Sequence, residues 1–261
     1  AAEIPGLISQ IHAALVRVSN SGAEPPPEPE DLSGRVLSGR YRLLAKLGVG
    51  GMATVYRGEQ VTIGKQFAIK VMHAAQVQQP EAAERFLREA RAVSKIRHEH
   101  VIEVVDFGQV AEGPYMVMEL LDPGSARSRM NKGPYPWPVA TRIIADCCAA
   151  LTIAHEAGII HRDIKPSNLF LRQGHLDHVV LIDFGIAHPE DATSLTATGI
   201  VTGSPAWLSP EQANLDELSA ASDVFSLGSL LVFAATARPP FGQGATVAVL
   251  MNIQRGEPDL G

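Results

Sequence analysis

The sequence predicts an α+β chain of two lobes, a small β-rich lobe followed by a larger helical one. Two patterns carry that expectation. Between Tyr41 and Leu121, short β-rich runs are punctuated by glycine or proline and interrupted by one amphipathic helix. After Leu121, apolar residues recur at helical spacing instead. Strands gathered first and helices afterwards segregate into the layers of an α+β domain. The 261 residues suit one large domain, or two lobes sharing a cleft, with a tail.

Taken in order, Ile4, Leu7, Ile8, Ile11, Leu15 and Val18 place an amphipathic helix in a tail over 1–23. The acidic, proline-rich run Glu24 to Asp31 predicts an extended linker over 24–39, with the ordered domain starting near Arg40. The small lobe and its hinge then occupy 40–121. Strands are expected at Tyr41–Leu47, Ala53–Gln60, Gln66–Met72, Ile102–Gln109 and Tyr115–Glu119. The interrupting helix spans Pro80–Arg97, with Phe86, Ala90, Val93 and Ile96 on one face. The large lobe fills 122–261. It carries helices at Pro138–Ala157, Leu215–Leu218 and Val224–Ala237, and an apolar strand ending at Ile182. No internal repeat is visible.

Composition excludes several function classes. The net charge is −6 and the pI about 5.8, so no broad basic field attracts nucleic acid or anionic lipid. The longest apolar stretch, Val224 to Ala237, is broken by Ser226, Gly228 and Ser229 and is too short to span a bilayer. No membrane contact is expected within this stretch, while a longer protein could be anchored outside it. The two cysteines, Cys147 and Cys148, are adjacent, so neither a disulfide framework nor a zinc pair is expected. That usage suits a reducing, cytoplasmic compartment. No signal peptide is expected, and the start without Met suggests a piece of a longer protein.

Chemistry-bearing residues cluster in two places. Gly48-Val49-Gly50-Gly51-Met52-Ala53-Thr54-Val55 joins two expected strands, and its glycines would let backbone N–H groups approach a polyphosphate. Alone, such a turn is better explained as a plain hairpin. Phe67-Ala68-Ile69-Lys70 then sets a lysine in an apolar strand, where a charge needs a partner unless it faces outward. Glu89, on the interrupting helix, is the candidate partner; otherwise it is a solvated helix charge. The second cluster is His161-Arg162-Asp163-Ile164-Lys165-Pro166-Ser167-Asn168, a dense polar run between apolar flanks. Downstream, Asp183-Phe184-Gly185 ends the apolar strand with a carboxylate. Asn168 and Asp183 together offer hard oxygens suited to Mg²⁺.

In order and spacing these motifs resemble the eukaryotic-type protein kinases. The match runs over roughly 40–257: Gly48 and Gly50, Ala68-Ile69-Lys70, Glu89, His161-Arg162-Asp163, Lys165, Asn168, Asp183-Phe184-Gly185, Ser209-Pro210-Glu211 and Asp223. The resemblance implies a bilobal kinase fold binding ATP and Mg²⁺, with Mn²⁺ as a substitute. It implies that Gly48, Val49, Gly50, Gly51 and Val55 cover the phosphates. Lys70, held by Glu89, would grip the α- and β-phosphates. Asp163 would take or orient the substrate hydroxyl proton, and Lys165 would steady the γ-phosphate. Asn168 and Asp183 would hold metal. Val55, Ala68 and Phe170 would sandwich adenine, with Glu119 and Leu121 as the hinge and Met118 guarding the back pocket; ordinary core packing explains these apolar positions equally well.

Asp163-Ile164-Lys165-Pro166-Ser167-Asn168 and Ser204 resemble the serine/threonine branch, whose partners are protein Ser/Thr hydroxyls. Phosphorylated Thr196 and Thr198 would add charge for Arg162 to pair with, through self-association and trans-autophosphorylation. The glycine-loop wording resembles bacterial members. Some features depart from the family. Ala53 replaces a third glycine, and Asp122 to Met130 lacks the leucine that anchors the helix after the hinge, so that helix is expected to be short or disordered. The family continues with further helices past the equivalent of Gly261, so the large lobe is expected to be truncated here and Glu211 to lack its arginine partner. The alternative reading is a pseudokinase, a scaffold or binding module on the same fold, although Lys70, Asp163 and Asp183 are all retained.

Overall fold

A computed structural model of the chain describes residues 29–77, 80–121, 133–172, 178–184 and 205–260. The tail helix, the stretch after the hinge, Thr196 and Thr198 lie outside the described residues.

The small lobe is an antiparallel sheet in the order β1-β2-β3-β4-β6-β5. Its strands are β1 (Val36–Leu37), β2 (Tyr41–Val49), β3 (Ala53–Gln60), β4 (Gln66–Met72), β5 (Val104–Val110) and β6 (Gly113–Glu119). Period-two alternation gives the sheet two working faces. Tyr41, Leu43, Tyr56, Phe67, Ile69, Val71, Tyr115 and Val117 pack on the outer face. Ala68, Met72, Met116 and Met118 face the other way, into the main core. Lys70 shares that inner face, being two residues from each of Ala68 and Met72. Gly58 is required where β2, β3 and β4 crowd together: a Cβ there would lie 2.8 Å from the Arg42 carbonyl and collide with Ile69.

The outer face corrects the expected boundary at Arg40. β1 pairs with β2, and Leu37 is fully buried among the outer-face residues. The Leu32 N–H donates to the Tyr56 hydroxyl at 3.1 Å. Residues 32–37 are therefore part of the lobe, covering an apolar face that water would otherwise reach.

Helices α1 (Ala74–Val77) and α2 (Pro80–Val93) pack beneath the sheet. α2 stops short of the expected Arg97. It turns Ala82, Phe86, Glu89, Ala90 and Val93 inward. The large lobe centres on α3 (Trp137–Glu156) and α5 (Ala220–Thr236), which pack on each other and on the hairpin of β7 (Leu169–Leu171) and β8 (Val179–Leu181). By length and composition alone α3 could cross a membrane, yet it buries Ile143, Asp146, Cys147 and Leu151 inside the lobe. Asp146 accepts from the Val179 N–H, a polar anchor for the hairpin.

The expected helix at Leu215–Leu218 is displaced. The helix is instead α4 (Pro210–Asn214), started by a Ser209–Gln212 capping box and ended by Leu215 in the left-handed conformation. Helix α6 (Thr246–Arg255) closes the base around Phe241, Val249 and Ile253. At the back, the lobes are joined by a bridge between Val101 and Leu181, with Leu181 N–H donating to His100 O at 2.8 Å.

Candidate active site

Between the lobes lies a cleft of about 920 Å³. Its roof comes from the β2–β3 hairpin, where the Gly50 N–H donates to the Ala53 carbonyl at 2.9 Å. Gly48, Val49, Gly50, Gly51 and Val55 line this roof. A Cβ on Gly48 or Gly51 would meet nothing within 4 Å, so what these glycines supply is open space. His73, just after β4, braces the hairpin from behind. Its Nε2 is 2.9 Å from the Thr54 hydroxyl, and its N–H donates to Met52 O at 2.9 Å.

The back and hinge of the cleft are lined by Ala68, Met118, Glu119 and Leu121, and the floor by Phe170. Ala68 pairs with Met118 across β4 and β6, so the sheet itself fixes the spacing of roof and back wall. Lys70, Glu89, Asp163, Lys165, Asn168 and Asp183 line the same cleft.

The expected Lys70–Glu89 ion pair is corrected. Lys70 Nζ instead donates to Asp183 Oδ1 at 2.9 Å. Asp183 has φ +55, a left-handed backbone that turns its carboxylate into the cleft toward the lysine. Glu89 is 4% exposed and lies close enough to be felt electrostatically, without bonding the lysine. Burial raises the Glu89 pKa to about 7, offset in part by Lys70. Burial pulls the Lys70 ammonium down, but the charges of Asp183 and Glu89 win and hold it above ordinary lysine. Burial pushes Asp183 up, yet Lys70 outweighs it and leaves that carboxyl below its usual range.

Asp163 is fixed on two sides. Lys165 Nζ donates to its Oδ2 at 2.6 Å, and Asn168 Nδ2 donates to the same oxygen at 2.8 Å and to the Asp163 carbonyl at 2.9 Å. Asn168 spends its amide nitrogen in this way, so its amide oxygen is what it can offer a cation. That oxygen and the Asp183 carboxylate are hard donors, which fits a cation completing its shell with phosphate oxygens. Among the described residues, no three His, Cys, Asp or Glu gather into a closed metal cage.

Beneath the loop, Asp223 at the start of α5 is 1% exposed. It accepts the N–H groups of His161 and Arg162, both at 2.8 Å, and faces His155 Nε2 at 2.8 Å. Arg162 has φ +67, and these bonds hold it there. The Glu211 carboxylate is half-buried and accepts from the Ser222 hydroxyl at 3.4 Å.

Sequence reasoning missed Gln212, Arg172 and His73. Gln212 was findable, because serine followed three residues later by glutamine is a capping-box signature. Arg172 and His73 carry no local pattern; their partners lie across the fold.

Residues 41–257 match the family described as the protein kinase domain. The chain is 41% identical over 210 residues to the serine/threonine-protein kinase pkn2 of Myxococcus xanthus, covering 79% of this chain and 25% of that protein. It is 38% identical over 237 residues to Pkn1 of the same organism, covering 90% and 34%. It is 39% identical over 228 residues to PknB of Mycobacterium leprae, covering 85% and 36%. The chain thus spans about a quarter to a third of the curated relatives it matches.

Proposed function

Because the chain belongs to the protein kinase domain family, we propose that it transfers the γ-phosphoryl group of ATP to serine and threonine hydroxyls of proteins, with Mg²⁺ as the metal and Mn²⁺ as a substitute. The observation that carries this reading is the convergence of Lys70, Asp183, Asp163, Lys165 and Asn168 on one cleft.

Each residue has a task set by its geometry. The open hairpin roof presents backbone N–H groups to phosphate. Lys70 reaches the α- and β-phosphates. Asp163, fixed at Oδ2 by Lys165 and Asn168, accepts the hydroxyl proton at Oδ1. The hydroxyl oxygen bonds to the γ-phosphorus as the bond to the β–γ bridging oxygen breaks, and ADP leaves. Lys165 stays beside the equatorial oxygens. Asn168 and Asp183 would hold the metal, which when bound would neutralise charge on the phosphates. In-line positioning and cations near the developing charge are what this transfer asks of a protein.

Thr196 and Thr198 are the autophosphorylation sites in this reading, modified through a second copy of the chain; phosphate on both in mass spectrometry of active protein is the expected result, and its absence from both would overturn this part of the reading. A cytoplasmic setting is supported by the unbridged Cys147 and Cys148.

The deciding experiment incubates the chain with labelled ATP, Mg²⁺ and a protein acceptor, beside Asp163→Asn. Label transferred by the parent alone supports the proposal. Equal label, or none from the parent, overturns it and leaves a scaffold on the same fold.

A further inference from the structure

We infer that Arg172 sets the geometry of the hinge by clasping Glu119, and is a positioning residue for the adenine end of the cleft. The inference rests on the kinase reading above. Glu119 ends β6 and lines the cleft, while Arg172 follows β7, whose Phe170 forms the floor.

The guanidinium crosses from the large lobe to the hinge. Nη1 donates to Glu119 Oε2 at 2.7 Å and Nη2 to Oε1 at 2.8 Å. This two-pronged pairing, with both bonds at charge-assisted length, is geometrically specific in a way a single contact is not. The Glu119 side chain is 18% exposed and that of Arg172 36%, so water screens the pair less than a typical surface ion pair.

Both partners are held from other sides as well. Glu119 Oε1 accepts the Glu103 N–H at 3.2 Å, and the Glu119 N–H donates to Glu103 O at 3.0 Å. The Arg172 N–H donates to His178 O at 2.8 Å, closing the β7–β8 hairpin. The clasp therefore links the end of β6, the approach to β5 and the β7–β8 hairpin. The Val101–Leu181 bridge ties the lobes behind it. With both ties in place, the hinge backbone stands at a fixed height above Phe170, and the slot for a planar base is set before the base arrives. A slot ordered in advance binds more tightly than one that must be ordered on binding.

The test measures Mg-ATP affinity by calorimetry, and KM for ATP and for a peptide acceptor. It compares the parent with R172A, R172K, R172E and the charge swap R172E/E119R. R172A is expected to weaken ATP binding about tenfold and R172K about threefold, since an ammonium cannot make the forked pair. KM for peptide stays at the parental value. R172E binds more weakly than R172A, and the swap recovers to within about threefold of the parent. Circular dichroism confirms that each variant is folded; if R172A is not, R172K and the swap decide. Parental ATP affinity in R172A, or in R172K where R172A does not fold, overturns the inference, as does a folded swap no better than R172E. Failure of the parent itself to bind ATP would bring down the kinase reading instead.

Discussion

Gln212 reaches from α4 to the catalytic loop and donates its side-chain amide to the Arg162 carbonyl at 2.7 Å. The oxygen of the same amide accepts the Ser209 N–H at 3.0 Å. One side chain thus starts a helix and holds the residue before Asp163. Gln212→Glu keeps the acceptor for Ser209 but loses the donor and sets a carboxylate against a carbonyl. The expected result is a shift in melting temperature of no more than about 4 °C, together with a fall in kcat of about tenfold. Unchanged turnover in a steady-state assay would show that Asp223 alone fixes the loop.

Glu89 predicts an unusual pH dependence. Its folded pKa of about 7 lies above the reference 4.5, so between these values the folded chain binds more protons than the unfolded one. Stability from this group is therefore greatest below the reference value, falls as pH rises toward 7 and levels off above it. Glu89→Gln removes the penalty and is expected to raise stability at pH 8 by about 1–3 kcal/mol, with little gain at pH 4.5. Denaturant melts across that range check the sign; a gain that grows on acidification contradicts it.

Asp223→Ala strips three donors of one acceptor deep in the large lobe. Two are the backbone N–H groups of His161 and Arg162, which lose their carboxylate acceptor. A loss of about 3–5 kcal/mol is expected, large against the total stability of a domain. Urea unfolding measures it, and a loss under about 1 kcal/mol would show that water replaces the carboxylate.

Trimming the chain to begin at Arg40 removes Leu37 and Leu32 from the outer face of the small lobe. Leu37→Ala alone is expected to cost about 2–5 kcal/mol, the range for a fully buried leucine. Thermal melts of the trimmed chain and of Leu37→Ala should both fall below the parent; a trimmed chain melting with the parent would show that the outer face needs no cover.

Much of the fold was legible because local rules decided it. Ala53–Gln60 and Gln66–Met72 are strands over the spans the sequence indicates, since alternation and flanking glycines act locally. The start of the domain was hidden because proline and acid dominate 24–31, while Leu32 and Leu37 are too sparse to form a pattern. Leu215 and Leu218 suggested a helix by their apolar spacing. The Ser209 capping box, which starts a helix that the left-handed Leu215 ends, outweighed them. In the cleft, the residue types were legible and one pairing was not. Whether Lys70 meets Glu89 or Asp183 depends on how α2 sits against the sheet and on a left-handed turn at Asp183, and neither leaves a trace in spacing.

Arg162 and Asp183 both occupy left-handed backbone, which costs a residue such as arginine about 1–2 kcal/mol and an aspartate less. Their side chains forbid the easy remedy. A glycine at either site would relax the backbone, but at Asp183 it would also strip the Lys70 ammonium of its 2.9 Å partner. Ease of the backbone and the pairing of a buried charge therefore pull in opposite directions at Asp183.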